Sequence, residues 1–207
     1  MARKPLTKPR KYASQGRSRA TVDALIEATA RILVRDGFDK ASTNRIAEKA
    51  GVSVGSLYQY FPGKEALVAA VMKRHGEELM QVVRDALAEA AALPMEQAVR
   101  ALVVAAMEAH RIDPRLHRVL AEQIPRMGRL ENTEVLNGEI HALFRAWLDA
   151  HCDEFRPLDL GLAAFVCVTS IEALTHTAVV HHSESLSEEA FGALVDEATR
   201  LVVRYLQ

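Results

Sequence analysis

Residues 43–64 read TNRIAEKAGVSVGSLYQYFPGK, and no other stretch restricts the fold as much. It is two short helical patterns separated by a glycine and closed by a Pro-Gly break. Ser42 or Thr43 can cap the first helix. Ile46, Ala47 and Ala50 form its inner face, and Gly51 can stop it by taking a positive φ. Ser53 can cap the second helix, VGSLYQYF, where Leu57 and Phe61, four residues apart, are the core contacts. Ala50 is small enough to let the helices approach, and Val52 turns back toward Ile46 and Leu57. The pattern predicts a helix-turn-helix. The second helix then keeps a spare face of Val54, Gly55, Ser56, Tyr58 and Gln59, whose short side chains suit close approach to a major groove.

The surrounding chain reads as helices throughout. Val22, Leu25, Ile26, Ile32 and Leu33 recur at helical spacing from Arg17, with Thr29 on the same face and Gly37 expected to end the helix. After Pro62-Gly63 a fourth helix is expected from Lys64 to about Ala91, on a stripe of Leu67, Val68, Val71, Met72, Leu79, Val82, Val83 and Leu87. Pro94 is placed in the first turn of a helix ending near Arg111, and Asp113-Pro114 opens one to about Ile124, broken by Pro125 and Gly128. Leu136, Ile140, Leu143, Phe144, Trp147 and Leu148 mark another, ending before Pro157. Residues 158–182 are apolar nearly all round, which predicts burial on several sides. Ser187 caps the last helix, with Leu186 able to staple onto Phe191. The expected fold is all-α with about nine helices and no strand. Its expected parts are a disordered basic arm over 1–16, a three-helix head over 17–63 and a larger helical domain over 64–207.

Charge divides the chain in the same place. Residues 1–74 hold 15 Lys and Arg against 6 Asp and Glu, a net +9, and the rest hold 11 against 21, a net −10. A basic first third on an acidic remainder points to a polyanion at one end. No apolar run is expected to approach the ~18 residues of a membrane span. Two cysteines, Cys152 and Cys167, without CxxC spacing require neither zinc nor a disulfide, so a reducing cytoplasm is expected. No cofactor motif is present. GVSVG at 51–55 matches the GxSxG nucleophile elbow letter for letter, but the elbow needs a preceding strand and a helix is expected here, so no enzyme is expected.

TNRIAEKAGVSVGSLYQYFPGKEALV resembles the DNA-binding signature of the TetR family of bacterial transcriptional repressors, over about residues 19–68. The resemblance implies a homodimer that binds a palindromic double-stranded operator through its heads and is released by a small molecule. Carried over position by position, Thr43, Tyr58, Tyr60 and Lys64 match phosphate contacts and Val54, Gly55, Ser56 and Gln59 match base-facing positions. Arg45 and its neighbour Asn44 complete the candidate set. Physical chemistry agrees for several of them: tyrosine hydroxyls donate to phosphate, and Thr43 and Lys64 stand at helix N-termini that favour anions. The residues alone leave open a constitutive DNA-binding protein with no effector.

The last two helices are the expected dimer surface. Ala164, Val168, Ile171, Thr175 and Val179 are placed on one side, Leu194, Ala198, Leu201, Val202 and Tyr205 on the other. Candidate effector residues are the polar groups in apolar patterns, His75, His110, Glu172 and His176, and the large apolar residues Met107, Phe144, Trp147 and Phe165. Glu172 and His176, four apart, are expected to pair. Adjacent histidines point apart on a helix, and His110 and His117 lie two turns apart, so no metal site is expected.

Overall fold

The structure is a computed structural model describing residues 8–9, 16–123, 131–156, 159–182 and 187–207. The described residues form nine helices and no strand: α1 (Gly16–Lys40), α2 (Thr43–Ala50), α3 (Val54–Tyr60), α4 (Lys64–Ala90), α5 (Met95–Arg111), α6 (Pro114–Gln123), α7 (Glu131–Ala150), α8 (Leu160–His182) and α9 (Glu188–Leu206). A single 3-10 turn, Cys152–Glu154, follows α7. Most of the arm, the Pro125 and Gly128 break and the Leu186 staple lie outside the described residues.

Two compact units result, and the boundary is not the one expected. The described residues up to His75 cluster with residues 115–123, and residues 76–114 form the second unit with the described residues from 131 onward. The head therefore extends past Pro62-Gly63 into α4 and also recruits α6. Leu116 and Leu120 of α6 join the cluster of Leu25, Ile32, Leu33, Ile46, Leu57, Phe61, Leu67 and Val71. The physical reason is the short length of α2 and α3, which have too few apolar residues to enclose a core with α1 alone. Buried Thr29 is accommodated by donating Oγ1–H to Leu25 O at 2.7 Å.

Local geometry follows the capping chemistry. Ser42 Oγ accepts from Arg45 N at 3.4 Å, and Ser53 Oγ accepts from Ser56 N at 3.0 Å. Gly51 sits at φ 69°, ψ 28°, donating N–H to Glu48 O at 3.1 Å, while Val52 N–H reaches Ala47 O at 3.0 Å. These are the two bonds of a Schellman motif. Gly37, at φ 78°, interrupts α1 as expected, but a last turn continues to Lys40. Pro94 stands one residue before α5 rather than inside it. Its ψ of 147° is extended, and its carbonyl accepts from Ala98 N at 2.9 Å.

The second unit packs α5, α7, α8 and α9 with the end of α4 around Val99, Leu102, Met107, Phe144, Trp147, Leu148, Cys167, Val195 and Val202. Burial pushes the Cys167 thiol up to about 12. On α4 the fully buried positions in this half are Met80, Ala86 and Ala90, while Leu79, Val82, Val83 and Leu87 are half-buried. Asp159 starts α8, with Oδ1 accepting from Leu162 N at 3.0 Å and Gly161 N at 2.8 Å; those bonds hold its carboxyl below its ordinary range.

Two expectations for α8 are corrected. Ala164, Val168, Ile171, Thr175 and Val179 are all buried within the unit, so they are core and not a free dimer face; Ala198 and Val202 of α9 are likewise buried. Small and β-branched side chains let α8 pack closely on its neighbours, whereas Leu162 and Phe165 face out at 58% and 56% exposure. The helix is thus half-covered, not buried on several sides. By length and composition residues 160–180 are also apolar enough to cross a bilayer, with half of the window buried in the unit. This corrects the expectation of no such run: isolated Thr, Ser and Glu residues interrupt the apolar sequence without making it too polar on average.

Gly51→Ala tests the turn. An added Cβ meets nothing within 4 Å, so its only penalty is the left-handed φ. The expected loss is about 1–2 kcal/mol of stability by denaturant unfolding; no loss would show that the turn is not strained by a side chain.

Candidate nucleic-acid interface

Because Leu57 and Phe61 turn inward to the core, α3 leaves the opposite side free. Gly55, Tyr58 and Gln59 are exposed, and Ser56 is half-buried. Val54 and Tyr60 contribute partly to the core and present only their remaining edges. Asn44 is exposed at the start of α2. The hydroxyls of Thr43 and Tyr58 lie 3.2 Å apart. That contact joins the N-terminus of α2 to the middle of α3 and gathers two candidate phosphate donors at one place. A phosphate oxygen there would meet both hydroxyls beside the free N–H groups of α2.

The two candidate cations are engaged by the protein. Arg45 donates Nη1–H to Lys40 O at 2.9 Å and Nη2–H to Asp36 Oδ2 at 2.7 Å. Asp36 also accepts from Arg35, at 2.9 Å from Nη2. Arg45 thus ties α2 to the end of α1 while its side chain stays 41% exposed. Hydrogen bonding from Arg35 first, with further attraction from Arg45, holds the Asp36 carboxyl below its ordinary range. A depressed carboxylate stabilises above its unfolded pKa, so this clasp is intact at neutral pH and is lost as pH falls through the folded value. Lys64 donates Nζ–H to Phe38 O at 3.2 Å and lies 4.1 Å from the centre of the Phe38 ring. Pairs of this kind carry no obvious local sequence signal, since Asp36 and Arg45 are nine residues apart and Phe38 and Lys64 twenty-six.

Ser53 follows helix α2 and serves as the cap of α3, with its Oγ also 2.9 Å from Ser56 Oγ. The strand-to-helix elbow of a nucleophile is therefore not built around it.

The eight candidate effector residues divide between the two units. His75 belongs to the first unit, where its Nε2 lies 3.0 Å from Nδ1 of His117. The other seven belong to the second unit. There Met107, Phe144 and Trp147 are core, and Phe165 and Glu172 are exposed. An exposed Glu172 has no burial cost to offset, which removes the reason to expect its pairing with His176. The His176 ring instead lies edge-on to buried His110, centroids 5.6 Å apart. Among the described residues no group of three His, Cys, Asp or Glu could hold a metal ion.

Family models match both parts of the chain. A family model described as bacterial regulatory proteins, tetR family, matches residues 25–71. One described as tetracyclin repressor-like, C-terminal domain, matches residues 94–206, more than half of the chain. The HTH-type transcriptional activator FasR of Mycolicibacterium smegmatis is 41% identical over 63 residues, 30% of this chain and 29% of that protein. The HTH-type transcriptional regulator PksA of Bacillus subtilis is 34% identical over 79 residues, 38% of each chain. The chain thus spans well under half the length of these curated relatives. The solved structure of the transcriptional regulator FadR from Bacillus subtilis, in complex with stearoyl-CoA, has the same fold, with a TM-score of 0.67, 20% identity and coverage of 87% of this chain and 97% of that one.

Gly55 separates folding from contact. An added Cβ would meet only Ser53 Oγ, at an ordinary 3.8 Å, so packing does not require glycine there. Gly55→Ala is expected to stabilise the protein by about 0.5–1 kcal/mol in denaturant unfolding while weakening duplex binding measured by anisotropy. Stronger or unchanged binding would place the groove-facing surface elsewhere.

Proposed function

The chain belongs to the TetR family of bacterial regulatory proteins, DNA-binding transcriptional regulators, and from that we propose that it is a cytoplasmic, ligand-responsive repressor acting as a homodimer on a palindromic operator. The observation that carries this reading is the spare face of α3, small and polar at Gly55, Ser56 and Gln59, flanked by the Thr43–Tyr58 hydroxyl pair. Hydroxyls and helix N-termini fix the protein on the phosphates, and Gln59 and Ser56 read base edges. The seven Lys and Arg of residues 1–20, with no acid among them, add a basic arm to the same end of the chain.

A twofold copy supplies the second half-site, about one helical turn away or a multiple of it. The dimer surface we assign is the outer side of α8, Leu162 and Phe165, with Leu201 of α9, which is 48% exposed. These are the most exposed of the large apolar side chains described, with Ile112 and Leu174 exposed to a lesser degree, and burying them against a second copy is favourable. A small-molecule effector in the second unit is supported by the tetracyclin repressor-like match over 94–206 and by the stearoyl-CoA complex of a regulator with this fold. Residues 64–75 of α4 cluster with the head and residues 76–90 with the second unit, so α4 is the element through which an effector acts on the head.

The test begins with duplexes selected from a random pool by the full chain. Gln59→Ala is expected to cost about 1–3 kcal/mol on the best duplex and to relax preference at one position per half-site, while Tyr58→Phe weakens binding to every duplex alike. Exchange of the two behaviours would overturn the assignment of faces. By linkage, an inducer must bind the DNA-free dimer more tightly than the DNA-bound one, by a coupling of about 1–3 kcal/mol. Calorimetry giving equal affinities in both states would exclude that compound as an effector.

A further inference from the structure

Trp147, the only tryptophan in the chain, lies in the second unit at 6% exposure. Its indole Nε1–H is buried and meets no acceptor among the described residues. The ring is enclosed by aromatic neighbours: His151 stacked at 4.7 Å, Phe144 at 5.6 Å and Phe155 at 6.0 Å between centroids. The histidine lies stacked on the indole face, where a ring nitrogen is poorly placed to accept from Nε1–H, and its Nδ1–H donates to the Trp147 backbone carbonyl at 2.8 Å. Phenylalanine would supply the same kind of aromatic bulk without a buried donor, and indole N–H groups usually find a partner when buried.

We infer that Trp147 Nε1–H is the polar anchor of an apolar effector that carries a neutral hydrogen-bond acceptor, a carbonyl or ester oxygen. This deepens the effector reading above and rests on it. The acceptor is neutral because a buried anion needs a cation beside it. The arginines whose ion pairs are placed in this unit sit at its surface, Arg84 with Glu139, Arg100 with Asp196, Arg111 with Glu108 and Glu188, and Arg200 with Glu197. The rest of the molecule is apolar because Trp147 belongs to a core cluster of apolar side chains that also holds Met107, Phe144, Leu148 and Cys167. Apolar contact supplies affinity, and the single N–H sets orientation and rejects a hydrocarbon of the same shape.

A single tryptophan gives a single indole N–H crosspeak in the 15N-labelled full-length protein. Titration with 2-decanone is expected to move that crosspeak downfield to saturation, with affinity about tenfold or more above that of n-decane, which leaves the N–H unbonded. Trp147→Phe, checked for helicity, is expected to erase the preference for the ketone; if that variant does not fold, the wild-type crosspeak decides alone. A crosspeak already at a hydrogen-bonded position without ligand, or one moved equally by ketone and alkane, would overturn the assignment. Release of a bound duplex is followed in parallel. Release by 2-decanone with an unmoved crosspeak would leave the effector reading standing and remove Trp147 from it. A moved crosspeak with the duplex retained would uphold the site and refute the effector reading.

Discussion

Two backbone hydrogen bonds around one left-handed glycine set the direction in which α3 leaves α2. With Gly51 at φ 69° and Val52 N–H on Ala47 O, the chain reverses within three residues and Ser53 is ready to cap the next helix. Leu57 and Phe61 are then directed inward, and what they do not bury becomes the exposed side of α3. The candidate interface is thus a consequence of the turn and the core together.

The cations nearest that face are largely occupied in holding it. Arg45 is fastened to Asp36 and Lys40, and Lys64 to Phe38. The ties connect α2 and the start of α4 to the end of α1, around the interruption at Gly37. Rigidity is useful at such a place, because a reading surface must be held within fractions of an ångström to discriminate bases. The paired hydroxyls of Thr43 and Tyr58 are left as the candidate phosphate contacts at the α2–α3 junction.

The turn, the caps of α2, α3 and α9, and the inward Ile46, Ala47, Leu57 and Phe61 were legible in the sequence because each depends on neighbours within one helical turn. What depends on distant partners was not. His75 meets His117 forty-two residues later, and α6 joins the first unit although α5 of the second unit separates it from α4 in sequence. α8 failed for a different reason: a helix apolar nearly all round has no periodicity from which a face can be assigned. Only its packing distinguishes Ala164 and Val168, buried, from Leu162 and Phe165, exposed. The Arg45–Asp36 pair was not legible either, because a surface arginine carries no mark of the carboxylate it will meet.

The central claim is that the face built by the Gly51 turn is where the protein meets DNA. Hydrogen–deuterium exchange of the full chain, with and without a saturating duplex selected from a random pool, tests it most directly. Added protection concentrated in residues 43–64 is the predicted result. Unchanged exchange there, with protection arising in α5, α7, α8 or α9, would contradict it.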